Sequence, residues 1–166
     1  MYKTFLPIIL NGESEDNINA SDAGYISNVE LEFFELIKNH PEQRRNRDLI
    51  FQSPILQLST NYRSQDMIDK NYVGHISPTY EYPNEVAIRY GCSSITGPKS
   101  NGIESIVVGT HDPLVGFNAL MNSPNHKMHL MGENEHFATF YGIGVSLCIG
   151  ENSKYRYYWT IHIANC

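Results

Sequence analysis

Apolar residues recur every three or four positions over the first two thirds of the chain and every second position in the last third. Ser27 and Glu30 form a capping-box pattern before an apolar stripe, which predicts a first helix that ends at Pro41. Four more helices are predicted where a proline occupies the first turn, at Pro54, Pro83, Pro113 and Pro124. The second of the five should run to about Lys70, with its inward side formed by Ile55, Leu58 and Tyr62.

The period of two near the C-terminus predicts strands. Residues 142–149 and 155–163 alternate apolar and other side chains around a turn at 150–153, which indicates an antiparallel hairpin. Residues 103–108 are a third candidate strand. Helices followed by a hairpin indicate an α+β fold in which helices cover a small antiparallel sheet.

The N-terminal segment differs from the rest of the chain. Residues 5–10 are apolar, whereas residues 11–24 are polar and rich in turn formers, so they are predicted to be a linker. We therefore divide the chain into an arm and linker, residues 1–24, and one domain, residues 25–166. The arm could add a strand to the domain's own surface or dock on another chain, and the pattern leaves both open.

Charge and length exclude some classes of function. The 166 residues carry 12 basic and 18 acidic side chains, a formal charge of −6, and the short basic run at 44–47 does not make a nucleic-acid footprint. No apolar run approaches the length of a membrane span. The run at 5–10 is too short for a signal peptide. We therefore expect cytoplasmic synthesis, followed by assembly into a particle or export without a classical signal.

Cysteine usage is sparse. Cys92, Cys148 and Cys166 show no close spacing. An odd, scattered set argues against a disulfide framework and fits a reducing compartment or a bacterial-type protein. It predicts three free thiols, two of them packed.

Histidines are the main candidate chemistry, since the chain has seven. His126 and His129 are three positions apart on a predicted helix, which can direct both imidazoles to one point. Together with His75 and Glu104, such histidines could hold zinc with one open position. The same histidines also fit ordinary hydrogen-bonded or surface positions without a metal.

Four segments resemble, in order, the motifs of the CAP superfamily, the cysteine-rich secretory, antigen 5 and pathogenesis-related proteins. The likeness covers about residues 29–164 and is to the disulfide-poor bacterial branch. The segments are 61–78, which contains Arg63, Asp66, Met67, Tyr72 and His75; 103–109, with Glu104; 120–127, with Met121-Asn122-Ser123-Pro124 before His126; and the strands at 141–144 and 157–162.

The resemblance implies a three-layer α-β-α sandwich whose central cleft is lined by two histidines and two acids. By position these are His75, Glu104 and His126, with Ser123 where the second acid would stand. His129 and Asp112 are candidate substitutes for that acid. The implied cofactor is zinc or another divalent cation, or none, and Glu104 is the candidate catalytic residue.

Three functions remain open. The first is a non-catalytic binding or scaffolding module that takes a protein, a peptide or a small apolar ligand, with Tyr80, Tyr82 and Tyr90 either lining the surface or packing under a loop. The second is a metal-dependent hydrolase with Glu104 as the base. The third is a structural subunit of a larger assembly such as a phage virion, anchored by the arm.

Overall fold

In the described residues, a five-stranded mixed sheet lies between two groups of helices. The computed structural model describes residues 7–9, 26–47 and 49–166, so the linker predicted over 11–24 lies outside the described residues. The first half contains β1 (Ile8–Ile9), α1 (Asn28–Asn39), α2 (Pro41–Asn46), β2 (Phe51–Gln52), α3 (Pro54–Asp69) and α4 (Pro83–Arg89). The second half contains β3 (Glu104–Val108), α5 (Pro113–Met121), α6 (Pro124–Met131), β4 (Gly142–Ile149) and β5 (Tyr157–Ala164).

The strand order is β1-β3-β5-β4-β2. The predicted hairpin β4–β5 and the third strand β3 pair antiparallel, as expected. The two outer strands are two residues long and parallel to their neighbours, so the sheet is mixed rather than wholly antiparallel. Ile8 and Ile9 pair with Val107 and Val108, which places the described part of the arm on the chain's own sheet.

Side chains cap α1, α3 and α5 at their predicted starts, whereas α4 and α6 begin at their prolines without a side-chain cap. Ser27 and Glu30 form both bonds of a capping box at α1. The helix ends at Asn39, and Pro41 then occupies the first turn of α2, a short helix that the apolar pattern did not predict. A proline that ends one helix is equally suited to begin the next, because its missing N–H is not needed in a first turn.

Alternate residues of β5 face different helices. Trp159, Ile161 and Ile163 pack with Phe33 of α1 and Phe117 of α5 in the largest apolar cluster. Tyr158 packs with Met67 of α3 on the opposite face. The alternation predicted from sequence therefore separates two cores, which gives the three-layer α-β-α arrangement.

The face that α3 turns to the sheet is mostly polar, which corrects the sequence prediction. Ile55, Leu58 and Tyr62 are only half-buried. The buried residues are Leu56, Gln57, Ser59, Thr60, Arg63, Ser64, Asp66 and Met67. The Ser64 hydroxyl lies 2.8 Å from the hydroxyls of both Ser146 and Thr160, so strand hydroxyls satisfy this face.

A disulfide joins Cys92 to Cys166, and only Cys148 is a free thiol. The prediction of three free thiols is therefore wrong. The two partners are 74 residues apart, so only the fold brings them together. Disulfides persist in oxidising environments, which also argues against the reducing compartment that we expected.

Helix length bears on membrane insertion. Within the described ranges, no helix is both long and apolar enough to cross a membrane.

Candidate functional site

The carboxylate of Glu104 is the centre of a buried polar network. Glu104 begins β3, where it pairs across the sheet with His162 of β5. Arg63 of α3 donates from Nε and Nη2 to the two carboxylate oxygens, at 2.9 and 3.2 Å. His75 Nδ1 lies 2.8 Å from Oε1, and His162 Nε2 lies 2.9 Å from Oε2. Three elements and one loop therefore converge on a single fully buried carboxylate.

This carboxylate is ionised at neutral pH. Burial by itself would raise the pKa of Glu104, but the charge of Arg63 and the hydrogen bonds from His162 and His75 hold it well below its usual value. An ionised carboxylate only accepts hydrogen bonds. The ring nitrogens of His75 and His162 that face Glu104 must therefore carry protons.

This assignment also determines the hydrogen-bonding role of the second nitrogen in each neutral ring. Burial lowers the pKa of His162, so its ring is neutral at pH 7, and Nδ1 accepts from the Ser59 hydroxyl at 2.8 Å. His75, when neutral, has its one proton on Nδ1 and its lone pair on Nε2. This Nε2 atom is buried and has no hydrogen-bond partner among the described residues.

Arg63 also fixes the loop that carries His75. Its Nη2 donates to the carbonyl oxygens of Gly74 at 2.7 Å and His75 at 3.1 Å. Its Nη1 donates to the Tyr72 hydroxyl at 2.5 Å, and that hydroxyl donates to Asp66 at 2.6 Å. One guanidinium thus positions both the His75 backbone and the carboxylate that orients its ring.

His126 lies beside this network, near the start of α6. Its Nδ1 lies 2.8 Å from the hydroxyl of Ser123, the N-cap residue, which makes no side-chain capping bond. Burial and, to a smaller extent, the neighbouring His75 lower the pKa of His126 to about 4. The structure therefore brings together four residues from the predicted site: His75, Glu104, Ser123 and His126.

The other two predicted residues make their hydrogen bonds outside the Glu104 network. His129 is fully buried, and its Nδ1 lies 2.8 Å from the Ser105 hydroxyl. Burial and the positive charge of Arg47 keep the pKa of His129 well below its usual value. Asp112 caps α5 by accepting from the amides of Leu114 and Val115. The nine residues of α5 separate it from the Ser123 end of that helix, a length of roughly 14 Å.

The site does not match the metal set that the resemblance implies. Among the residues that the structure describes, no group of three His, Cys, Asp or Glu side chains is placed to hold one ion. Glu104 has both oxygens engaged by Arg63 and two histidines, so it orients His75 and has no free oxygen for a metal ion. A zinc site needs at least three protein ligands, and His75 with His126 supplies two. Zinc binding stays a prediction.

Aromatic side chains differ in their exposure near this site. Tyr80 is 79% exposed, five positions after His75. Tyr90 instead lies against the ring of Tyr62, with 6.1 Å between centroids, and Arg89 covers both rings. Tyr82 precedes α4 as its N-cap residue. Of the three predicted tyrosines, Tyr80 is therefore the one displayed to solvent.

Sequence reasoning missed the residues that hold Glu104, namely Arg63, His162 and Ser59. Arg63 stands inside the 61–78 motif, and His162 falls on an alternating strand position, so neither carried a separate signal. The usable signal was Glu104 itself, because a glutamate in an otherwise apolar strand requires a buried cationic partner.

Comparison with known proteins finds similarity in sequence and, separately, in fold. The uncharacterized protein YkwD of Bacillus subtilis is 31% identical over 128 residues, which are 77% of this chain and 46% of that protein. The chain therefore spans about half the length of the curated relative. No known family profile matches the chain.

Two solved structures are similar in fold. An extracellular protein containing an SCP domain, from Bacillus anthracis, superimposes with a TM-score of 0.61 at 23% identity, covering 81% of this chain and 39% of that one. An outer surface protein from Borrelia burgdorferi gives a TM-score of 0.59 at 14% identity, covering 81% of this chain and 90% of that one.

Proposed function

Because the chain has the SCP-domain fold of the CAP superfamily, as the sequence resemblance predicted, we propose that it is a non-catalytic binding module. The ligand would contact the surface around His75, Ser123 and His126. Fold by itself does not determine function, so the proposal depends on the chemistry of this site.

The observation that carries the proposal is the engagement of Glu104. A general base must reach the proton that it removes, directly or through one water. Glu104 has no solvent exposure, and Arg63, His75 and His162 hold its two oxygens. The carboxylate therefore fixes the site's geometry and polarity instead of exchanging protons with a bound molecule.

The geometry of the site gives little support to the alternative function, a metal-dependent hydrolase. It requires Glu104 as base and a metal on His75 and His126, and the described residues offer neither a reachable carboxylate nor a third ligand.

We also propose an extracytoplasmic setting. The Cys92–Cys166 disulfide favours an oxidising compartment, and the two similar structures are described as extracellular and outer surface proteins. A structural role in a larger assembly such as a virion gains no support from the arm, because Ile8 and Ile9 already pair with β3 of the same chain.

Amide chemical shifts of the isotopically labelled protein test the binding role. At least one member of a library of neutral, cationic and anionic fragments should shift the amide resonances of Gly74 and Ser123. A His75→Phe variant with unchanged thermal unfolding should lose these shifts, and an exposed-site control, His136→Ala, should keep them. If no fragment of any class shifts these amides, the binding proposal is wrong.

Metal content and hydrolysis test the alternative on the same protein. Stoichiometric zinc that is lost in a His75→Ala/His126→Ala double variant, together with chelator-sensitive hydrolysis of chromogenic esters or peptides, would contradict the non-catalytic role. We expect neither result.

A further inference from the structure

The Nε2 atom of His75 is buried and forms no hydrogen bond with the described residues. The His75 side chain is only 2% exposed, and no described residue donates to this nitrogen. A buried polar atom without a partner costs free energy, so native structures usually satisfy such atoms with protein, water or ligand. A bound molecule that formed a hydrogen bond with this atom would remove that cost.

We propose that the ligand of this site is neutral and donates a hydrogen bond, from a hydroxyl or an amide N–H, to Nε2 of His75. The inference rests on the proposed binding function and names the chemistry of its ligand.

The polarity of the contact follows from the bonds to Glu104. The carboxylate accepts from Arg63 at both oxygens, so the His75 proton must lie on Nδ1, 2.8 Å from Oε1. With that proton on Nδ1, a neutral His75 ring has only a lone pair at Nε2. A group that can only accept hydrogen bonds, such as an ether oxygen, gains nothing there.

The absence of net charge around the ring favours a neutral ligand. Glu104 is compensated by Arg63, with Nε and Oε2 2.9 Å apart and both side chains fully buried. An ion bound here would lose its hydration without a counter-charge, and that loss is large in a buried site.

Partly exposed residues flank both His75 and the Ser123 partner of His126. Ile76 is 43% exposed directly after His75, and Gly74 before it is half-buried. Ser123 is half-buried between exposed neighbours in the turn from α5 to α6. The buried ring thus lies one residue from exposed chain, so a ligand at the surface needs to displace few side chains to contact it.

Nitrogen chemical shifts of the His75 ring provide the first test. In the neutral ring they should show a proton on Nδ1 and none on Nε2. In Glu104→Gln, the carboxamide can face the ring with its oxygen or its NH2, so the preference should weaken while His129, bonded to Ser105, keeps its own pattern. A proton on Nε2 in the unaltered protein would overturn the proposal.

Matched probe pairs provide the second test. Phenol and N-methylbenzamide should shift the His75 Nε2 resonance and bind about tenfold more tightly than anisole and N,N-dimethylbenzamide, which lack the donor. Equal binding within each pair, or no binding by any of the four, would overturn the inference. If other fragments still shift the Gly74 and Ser123 amides, the binding function stands while this ligand class fails.

Discussion

The Arg63 guanidinium meets both oxygens of the Glu104 carboxylate, at 2.9 and 3.2 Å, in a place where neither side chain is exposed. The pair joins α3 to β3, and it also holds the loop around His75 through two carbonyl bonds. A single ion pair thus sets the packing of one helix and the orientation of the candidate binding histidine.

Removing one member of this pair should be costly. We expect Arg63→Met to lower the free energy of unfolding by about 3–5 kcal/mol, because it leaves a buried, uncompensated carboxylate. Urea denaturation measures the change. Lys127→Met is the control. The Lys127 side chain is one-third exposed where it pairs with Glu42 and Glu133, so its replacement should cost less than about 1 kcal/mol. The pair would not have the role described if both variants lost the same amount.

Stability should fall in mild acid because of the buried histidines. The pKa of His126 is lowered to about 4 in the fold, against 6.5 unfolded, so the unfolded chain binds protons first as the pH falls. This contribution is fully present above pH 6.5 and is lost as the pH falls towards 4. We expect a loss of about 2 kcal/mol between pH 7 and pH 5 from His126 alone. His129 and His162, whose pKa values are also lowered, act in the same direction.

Urea denaturation at several pH values measures this loss. A His126→Asn variant should show a shallower dependence on pH, whereas His136→Ala, at an exposed site, should keep the original slope. An unchanged slope in His126→Asn would contradict the assignment of the acid sensitivity to this ring.

The disulfide should contribute measurably to stability. Cys92 and Cys166 close a separation of 74 residues, for which chain entropy predicts about 4 kcal/mol. Reduction, or Cys92→Ser, should lower the unfolding free energy by up to this amount, while Cys148→Ser should have little effect. Thiol titration of the denatured, unreduced chain should find one thiol. Three thiols would show that the bond does not form in the isolated protein.

The close contact between α3 and β4 requires glycine at position 144. A Cβ there would lie 2.3 Å from the backbone carbon of Leu56, which cannot move without moving the helix. Gly144→Ala should therefore destabilise the protein by about 3 kcal/mol or more. Gly102→Ala is the matched control, because its Cβ would lie at an ordinary 3.7 Å from Asn84. Thermal unfolding of both variants distinguishes this contact from a general intolerance of substitution.

Replacement of Gln43 should increase the free energy of unfolding. Its side chain is 1% exposed, and neither amide atom has a hydrogen-bond partner in the described ranges. Gln43→Met keeps the length and removes the unsatisfied amide, so we expect a gain of about 1 kcal/mol. Gln65→Met, at an exposed position bonded to Asp69, should give no gain. A loss of stability in Gln43→Met would indicate that the amide is satisfied by solvent.

The sequence by itself determined the features that are encoded over a few neighbouring residues. Ser27 with Glu30 set the start of α1, Pro54 set the start of α3, and strict alternation marked β4. Together with the motif resemblance, these local signals predicted the fold and the proximity of His75, Glu104 and His126. Caps, prolines and side-chain periods act within one or two turns, so they can be read without the rest of the molecule.

Only the tertiary structure decided which distant groups satisfy one another. Arg63 and Glu104 are 41 positions apart, Glu104 and His162 are 58 apart, and Cys92 and Cys166 are 74 apart. The apolar pattern predicts the wrong inward side for α3. Ser59, Arg63 and Ser64 are buried there only because strand residues and Glu104 supply their hydrogen-bond partners. Burial of a polar side chain depends on partners that the chain brings from elsewhere, and a local pattern contains no record of them.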